Sequence, residues 1–298
     1  MTDLCTIAIL AVYSVFALCF YFDLPNAAQL LLFNAAVSIA ILAIAAADYL
    51  HGGRIFRLFH QFYVVTIIYL IYRQVHYYVP LVNPGLYDDV LIQWDFALFG
   101  VHPTHWLAQF AHPLLTEYLQ WAYMSFFFLP ILHGIELALR KREATLQEFT
   151  YTIVFGFYVS YLLYFFMPAI GPRFTLHDFG LLDQELPGVW LTSALREFVN
   201  AGGNIPAGTP NPAAVVNRDC MPSGHTMMTL MNIVLAFRYR SYLRYFFLVV
   251  GSSLIVATVY LRYHYVVDVL AGIGCALVTL WIAPRLRRWV RQHGFPNA

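Results

Sequence analysis

The sequence predicts an all-α fold: a polytopic membrane helix bundle of about eight transmembrane helices. Three observations predict it. Hydrophobic residues make up 60% of the 298 positions and charged residues only 11%, where a soluble domain averages about 25% charged. The mean hydropathy is +0.64, more apolar sequence than one soluble core can hold. The apolar residues also fall into long runs, and a helix needs about 20 of them to cross the hydrocarbon layer.

The runs lie at roughly residues 4–22, 27–47, 55–79, 118–139, 149–168, 223–237, 243–261 and 265–283. The first lacks a basic leader and reads as a span rather than a cleaved signal. The third is interrupted by Arg73 and His76, and the sixth is short. The aromatic share of 17% suits lipid-facing helices and interfacial belts. Basic residues follow every second run: Arg54 and Arg57, then Arg140, Lys141 and Arg142, then Arg238, Arg240 and Arg244, then Arg285, Arg287, Arg288 and Arg291. With about eight spans all these clusters share one side, which the positive-inside rule makes cytoplasmic, with both termini.

Two long segments are then external. Segment 80–117 carries Trp94 and Trp106, with Val90, Leu91, Trp94 and Leu98 at near-helical spacing, so it reads as one or two helices on the membrane surface. Asp88, Asp89 and Asp95 read there as a solvated face, with binding of an alcohol headgroup as the alternative. Segment 169–221 holds Gly202-Gly203, several prolines and a short amphipathic stretch at 189–199. A connection of that length is usually functional. Cys5, Cys19, Cys220 and Cys275 match no metal spacing and read as small apolar residues; a Cys19–Cys220 bridge stays open. A net charge of +1 gives no reason to expect nucleic acid as a partner.

Three patches converge at the external face: Gly171-Pro172-Arg173, the stretch from Cys220 to Thr226, and the stretch from Arg262 to Asp268. His264 and Asp268 stand four apart, neighbours on one helix face. An unpaired carboxylate in a span costs roughly 2.5–3.5 kcal/mol, and pairing offsets it. A carboxylate on one imidazole nitrogen fixes the tautomer and leaves the other nitrogen as a nucleophile. Pro222 suits a first helical turn, whose free N–H groups make an anion site. Gly224 lets backbone approach a phosphate, Ser223 can donate its hydroxyl, and His225 can protonate a leaving oxygen. Arg173 can neutralise phosphate oxygens, with Arg262 and Arg218 as further candidates. The remaining histidines, His76, His102, His105, His112, His133 and His177, lack carboxylates at helical spacing and read as interfacial.

The patches Pro222-Ser223-Gly224-His225 and His264-Tyr265-x-x-Asp268-Val269-x-Ala271-Gly272 resemble the second and third signature motifs of the type 2 phosphatidic acid phosphatase superfamily. The resemblance implies a six-helix catalytic core at 51–298, with two additional N-terminal helices at 1–50. It implies that His264 attacks phosphorus to form a phosphohistidine, that Asp268 orients it, and that His225 protonates the leaving group. It implies that Ser223 and Gly224 hold phosphate oxygens, and that neither metal nor cofactor is needed. Two departures point to a branch. Thr258 stands where the phosphatases carry an arginine, and Phe166 where they carry a lysine, with Pro172-Arg173 in reversed order. Both losses are shared by the branch resembling inositol phosphorylceramide and sphingomyelin synthases. The expected partners are the bilayer, a lipid phosphate and an alcohol or lipid acceptor; the expected activity is phosphoryl or phospho-headgroup transfer. The alternative enzyme is a lipid or polyprenyl phosphate phosphatase with water as acceptor. The expected setting is the bacterial cytoplasmic membrane ahead of the Golgi. A transporter is the non-enzyme alternative; it predicts inverted repeats and broken helices at the midplane, and the sequence has no repeat.

Overall fold

The first two predicted spans are helices α1 (Thr2–Cys19) and α2 (Ala27–His51). The computed structural model they belong to describes residues 1–293, and among these no strand occurs. The third run is α3 (Arg54–Phe62) and α4 (Val64–Val82). It breaks at Tyr63, not at Arg73 or His76, because Arg73 is exposed and interrupts nothing. Helices α5 (Asp88–Phe99) and α6 (Pro103–Ala108) follow, in the first segment expected to be external. The fourth run is α7 (Pro113–Met124) and α8 (Phe128–Leu139), joined by a 3-10 turn, and the fifth is α9 (Glu143–Leu163). The long connection holds α10 (Pro172–Thr175), α11 (Leu182–Glu185), α12 (Thr192–Gly202) and α13 (Pro212–Val215). The last three runs are α14 (Gly224–Arg238), α15 (Arg244–Tyr260) and α16 (Val266–Gln292).

Thr2–Cys19, Ala27–His51, Arg54–Val82, Pro113–Leu139 and Val266–Gln292 are long and apolar enough to cross a membrane. The chain is an all-α membrane helix bundle. At 15 residues α14 is short for a span, and its position explains this. It packs against α8, α9, α15 and α16, so protein rather than lipid surrounds it. Its Met227, Met228, Met231 and Leu235 fill the core. Polar side chains join the N-terminal helices to the rest. Asn34 Nδ2 donates to Ser14 Oγ at 3.2 Å, Gln74 Nε2 to Asn34 Oδ1 at 2.7 Å, and Thr6 Oγ1 bonds Tyr158 Oη at 3.0 Å. In an apolar surrounding such bonds orient helices where burial alone does not. His133, expected at an interface, is fully buried, with Nδ1 2.9 Å from Asn232 Oδ1.

The basic clusters meet at one end. Arg140 Nη1 donates to the Arg240 carbonyl at 3.1 Å and Arg142 Nη1 to the Tyr239 carbonyl at 2.6 Å. Arg57 faces Glu143 at 3.8 Å and Arg287 faces Glu148 at 4.0 Å. The segments 80–117 and 169–221, expected to be external, lie away from these clusters. Their acids are not a solvated face: Asp88 is 4% and Asp95 1% exposed. Glu117 is also buried, and its carboxylate accepts the amides of Val189, Trp190, Leu191 and Thr192. That capping starts the predicted 189–199 helix at Thr192 instead. All four cysteines are free, Cys19 exposed and Cys220 buried, so the bridge left open by the sequence is not made.

Candidate active site

The chain leaves α15 through Arg262, whose φ of 66° turns it sharply. The amides of Tyr263 and His264 both donate to the Thr258 carbonyl at 2.9 Å. Thus Thr258, in the position of the missing arginine, closes α15 through its backbone. His264 lies ahead of α16, whose N-cap is Tyr265. It is therefore not a helical neighbour of Asp268, as the spacing suggested. Asp268 reaches back from the first turn: its Oδ2 accepts the Tyr265 amide at 2.9 Å and stands 3.5 Å from His264 Nδ1. The Nδ1 hydrogen goes to the Cys220 carbonyl at 2.9 Å. That bond fixes the tautomer, and the Asp268 charge lies beside it. Nε2 has no partner among the described residues, and His264 lines a cleft.

The start of α14 is fastened to that of α16 by the Ser223 amide, which donates to the Asp268 carbonyl at 3.0 Å. Ser223 is the N-cap, and its Oγ accepts the Thr226 amide at 3.2 Å. Serine is a preferred cap, so Pro222 lies before the helix rather than in its first turn. Ser223 is fully buried and does not line the cleft. Gly224 does, and a Cβ there would stand 2.3 Å from Tyr164 Oη. The amides of Gly224 and His225 have no acceptor among the described residues. His225 also lines the cleft and makes no hydrogen bond among the described residues. Its ring is held between Tyr123 at 4.6 Å and Phe126 at 4.3 Å, with the His264 ring at 5.7 Å.

Arg173 arrives from the third patch. Gly171 takes φ 96°, a value that glycine adopts without strain. The Ile170 and Gly171 amides bind the Asp88 carboxylate at 3.0 and 2.8 Å. The Arg173 amide donates to the Arg262 carbonyl at 3.1 Å. Its guanidinium reaches Asn200 Oδ1 at 2.7 Å and lies 4.9 Å from the Tyr263 ring centre. It is 6% exposed, and burial lowers its pKa from the usual value. No carboxylate stands within ion-pair distance of it among the described residues. Arg262 and Arg218 are placed differently. Arg262 is buried and paired with Glu185; Arg218 donates to the Pro84 carbonyl at 2.9 Å. Neither lines the cleft.

The cleft is lined by the polar residues His225, His264, Arg173 and Asp219, by Gly224, and by Val65, Ile68, Phe127 and Phe157 as apolar wall. Those four apolar residues also border a second cavity that continues to Phe62 and Gly134. Cys220, His264 and Asp268 offer donor atoms all within 4.8 Å of one another, close enough for a metal. Burial, followed by the charge of Asp268, pushes the Cys220 thiol up and keeps it protonated. As a thiol it donates to Asp268 Oδ2 at 2.8 Å.

Sequence reasoning missed Asp88, Asp95, Tyr123, Phe126 and Asp219. The acids carry no spacing signal, since their partners lie far along the chain. The only hint was that Asp88 and Asp95 punctuate an otherwise apolar segment.

No curated protein and no solved structure matches the chain. A family model described as PAP2 superfamily matches residues 90–282. The matched stretch runs from within α5 into α16 and contains Arg173, Ser223, Gly224, His225, His264 and Asp268. It covers about two thirds of the sequence, and the chain belongs to the PAP2 superfamily.

Proposed function

We propose that this membrane protein transfers a phosphoryl group or phospho-headgroup from a lipid phosphate to an alcohol acceptor through a phosphohistidine at His264. Family membership supports phosphatase-like chemistry on lipid phosphates. One observation carries the reading further. The unpartnered Nε2 of His264, the unbonded ring of His225 and the unpaired Arg173 all face one cleft whose remaining wall is largely apolar. A nucleophile, a proton donor and an anion-holding cation are thereby assembled.

In this mechanism His264 Nε2 attacks phosphorus, the phosphorus–oxygen bond to the leaving group breaks, and protonated His225 gives that oxygen its proton. The imidazole of His264 becomes cationic, beside the Asp268 carboxylate and the Cys220 carbonyl. Arg173 and the free amides of Gly224 and His225 hold the phosphate oxygens. In the second half the acceptor oxygen attacks phosphorus, its proton passes to neutral His225, and the bond to Nε2 breaks. The apolar wall running toward Phe62 and Gly134 suits a lipid chain.

Thr258 and Phe166 favour transfer over hydrolysis; Phe166 is 72% exposed and does not line the cleft. Water in place of the alcohol makes the same site a phosphatase. The polar groups gather at one end of the bundle, which does not favour a transporter. With the arginine clusters cytoplasmic, the site faces outward and both termini face inward.

The test is incubation with labelled lipid phosphates, with and without alcohols, followed by product identification. Label in an alcohol phosphate supports transfer. Label only in inorganic phosphate makes the enzyme a phosphatase, and no release of label sinks both. A chelator leaves turnover unchanged; loss restored by a divalent metal would assign Cys220, His264 and Asp268 to a metal instead.

A further inference from the structure

The cleft has a second polar pole that the phosphate chemistry does not use. Asp219 is the one acidic side chain lining it among the described residues. Its Oδ2 accepts the Tyr72 hydroxyl at 2.5 Å. The Tyr72 oxygen in turn accepts Asn217 Nδ2 at 3.3 Å, and the same nitrogen donates to the Gly202 carbonyl at 3.3 Å. Both partners require a donor, so the amide orientation of Asn217 is fixed and its Oδ1 points elsewhere. Asn217 is 5% exposed and lines the cleft, and Oδ1 is buried without a partner. Asp219 Oδ1 likewise has no partner among the described residues. Two hydrogen-bond acceptors, held in place by Tyr72, therefore look for donors.

They are not there for the phosphate. A carboxylate repels an anion, and an amide oxygen offers it no hydrogen. Nor do Asp219 and Arg173 satisfy each other's hydrogen bonds: both line the cleft, but Arg173 Nη1 donates to Asn200 Oδ1 and Asp219 accepts from Tyr72. The Asp219 carboxylate is instead bonded to Tyr72, which is bonded to Asn217. Leaving the buried Asn217 oxygen unmatched is unfavourable, and a ligand bearing hydroxyl donors satisfies it together with the neighbouring Asp219 carboxylate.

We infer that Asp219, Asn217 and Tyr72 bind the acceptor, a polyhydric alcohol, through hydroxyls neighbouring the one that attacks phosphorus. The inference rests on the transfer reading and names the acceptor class it lacked. A monohydric alcohol has no hydroxyl left for this pole once its oxygen is committed to the reaction. Asp219 and Asn217 thus select the acceptor, while the attacking hydroxyl still delivers its proton to His225. Tyr72 comes from α4, which lies before the matched stretch at 90–282. The acceptor site thereby joins the family part of the chain to the part preceding it.

The experiment uses the full chain purified in detergent, a phosphorus-labelled lipid phosphate as donor, and glycerol, propan-1-ol or ethanolamine as acceptor. Two readouts are taken: the ratio of transfer to hydrolysis, and the rate at which each acceptor discharges the labelled enzyme. Glycerol gives a ratio several-fold above propan-1-ol. Asp219→Asn lowers the glycerol ratio about tenfold, and Asn217→Leu and Tyr72→Phe lower it less. If Asp219→Asn does not fold, Tyr72→Phe carries the test, since it removes a single oxygen. Equal ratios in wild type and variants overturn the acceptor site while the phosphohistidine reading stands. Ethanolamine outrunning glycerol overturns the hydroxyl assignment in favour of an ammonium. An enzyme that takes no label, or whose label no alcohol discharges, sinks the transfer reading and the site with it.

Discussion

The helices α14 and α16 begin side by side, and their first turns are treated in opposite ways. At α16 the exposed amides are taken by protein carboxylates. Tyr265 donates to Asp268 at 2.9 Å, Val266 to Asp95 Oδ2 at 3.0 Å and Val267 to Asp95 Oδ1 at 2.8 Å. At α14 only Thr226 is capped, by Ser223, and the amides of Gly224 and His225 stay free. Every helix start carries partial positive charge. At α16 two acids face it, whereas at α14 no acid does, as the proposed phosphate site requires. The histidines follow suit. His264 beside the closed start is held by a hydrogen bond to the Cys220 carbonyl. Among the described residues His225 at the open start makes no hydrogen bond and is held by stacking on Tyr123 and a tilted contact with Phe126. The proposed roles fit this difference: a nucleophile needs a fixed direction, while an acid that takes and returns a proton needs free nitrogens.

The sharpest way to break this contrast is to remove each ring. His264→Ala should abolish turnover, by at least about 10³-fold, because no other group replaces a covalent nucleophile. The protein should still elute as a monodisperse species with unchanged helix content by circular dichroism. Turnover near wild type would end the assignment. His225→Ala comes next, with a loss of about 10²–10⁴-fold on lipid phosphates. That loss should shrink strongly on an aryl phosphate, whose leaving group departs without a proton. An equal loss on both substrates would mean that His225 is not the acid.

A smaller effect separates the two helix starts. Asp95→Asn withdraws a buried charge from α16 and leaves α14 untouched. Hydrogen bonds to charged groups contribute about 1.5–3 kcal/mol each, and asparagine retains part of them. A melting temperature lowered by a few degrees and kcat lowered several-fold should accompany an unchanged KM for the lipid. A raised KM with normal kcat would place Asp95 with the phosphate site rather than with the nucleophile.

The bundle was legible because bilayer thickness imposes a length on apolar runs, and each predicted run is a helix. The convergence of Arg173, His225 and His264 was legible from topology, since an even count of spans returns the chain to the same end. How His264 and Asp268 meet was not. Spacing of four suggested a helix face, but Asp268 binds the Tyr265 amide of its own helix start, which a periodicity cannot show. Asp88, Asp95 and Glu117 were invisible for a related reason. Their partners are backbone amides, which every residue but proline has, so nothing in the distant sequence marks them. Arg218 and Arg262 show the converse: an arginine near a motif advertises a phosphate, yet each guanidinium is already directed to a protein oxygen.

Arg218 therefore gives the smallest effect and tests the contrast from outside. Its guanidinium donates to the Pro84 carbonyl, a neutral acceptor, and lines no part of the cleft. An exposed hydrogen bond of this kind contributes about 1 kcal/mol or less. Arg218→Ala should leave kcat and KM within about twofold and change only weakly with salt, since screening acts over about 10 Å at 0.1 M. In the proposed site the α14 amides and Arg173 already supply the donors that a phosphate requires. If KM instead rises tenfold, the free amides do not suffice, and the open start of α14 borrows its affinity from a loop arginine only two residues before Cys220.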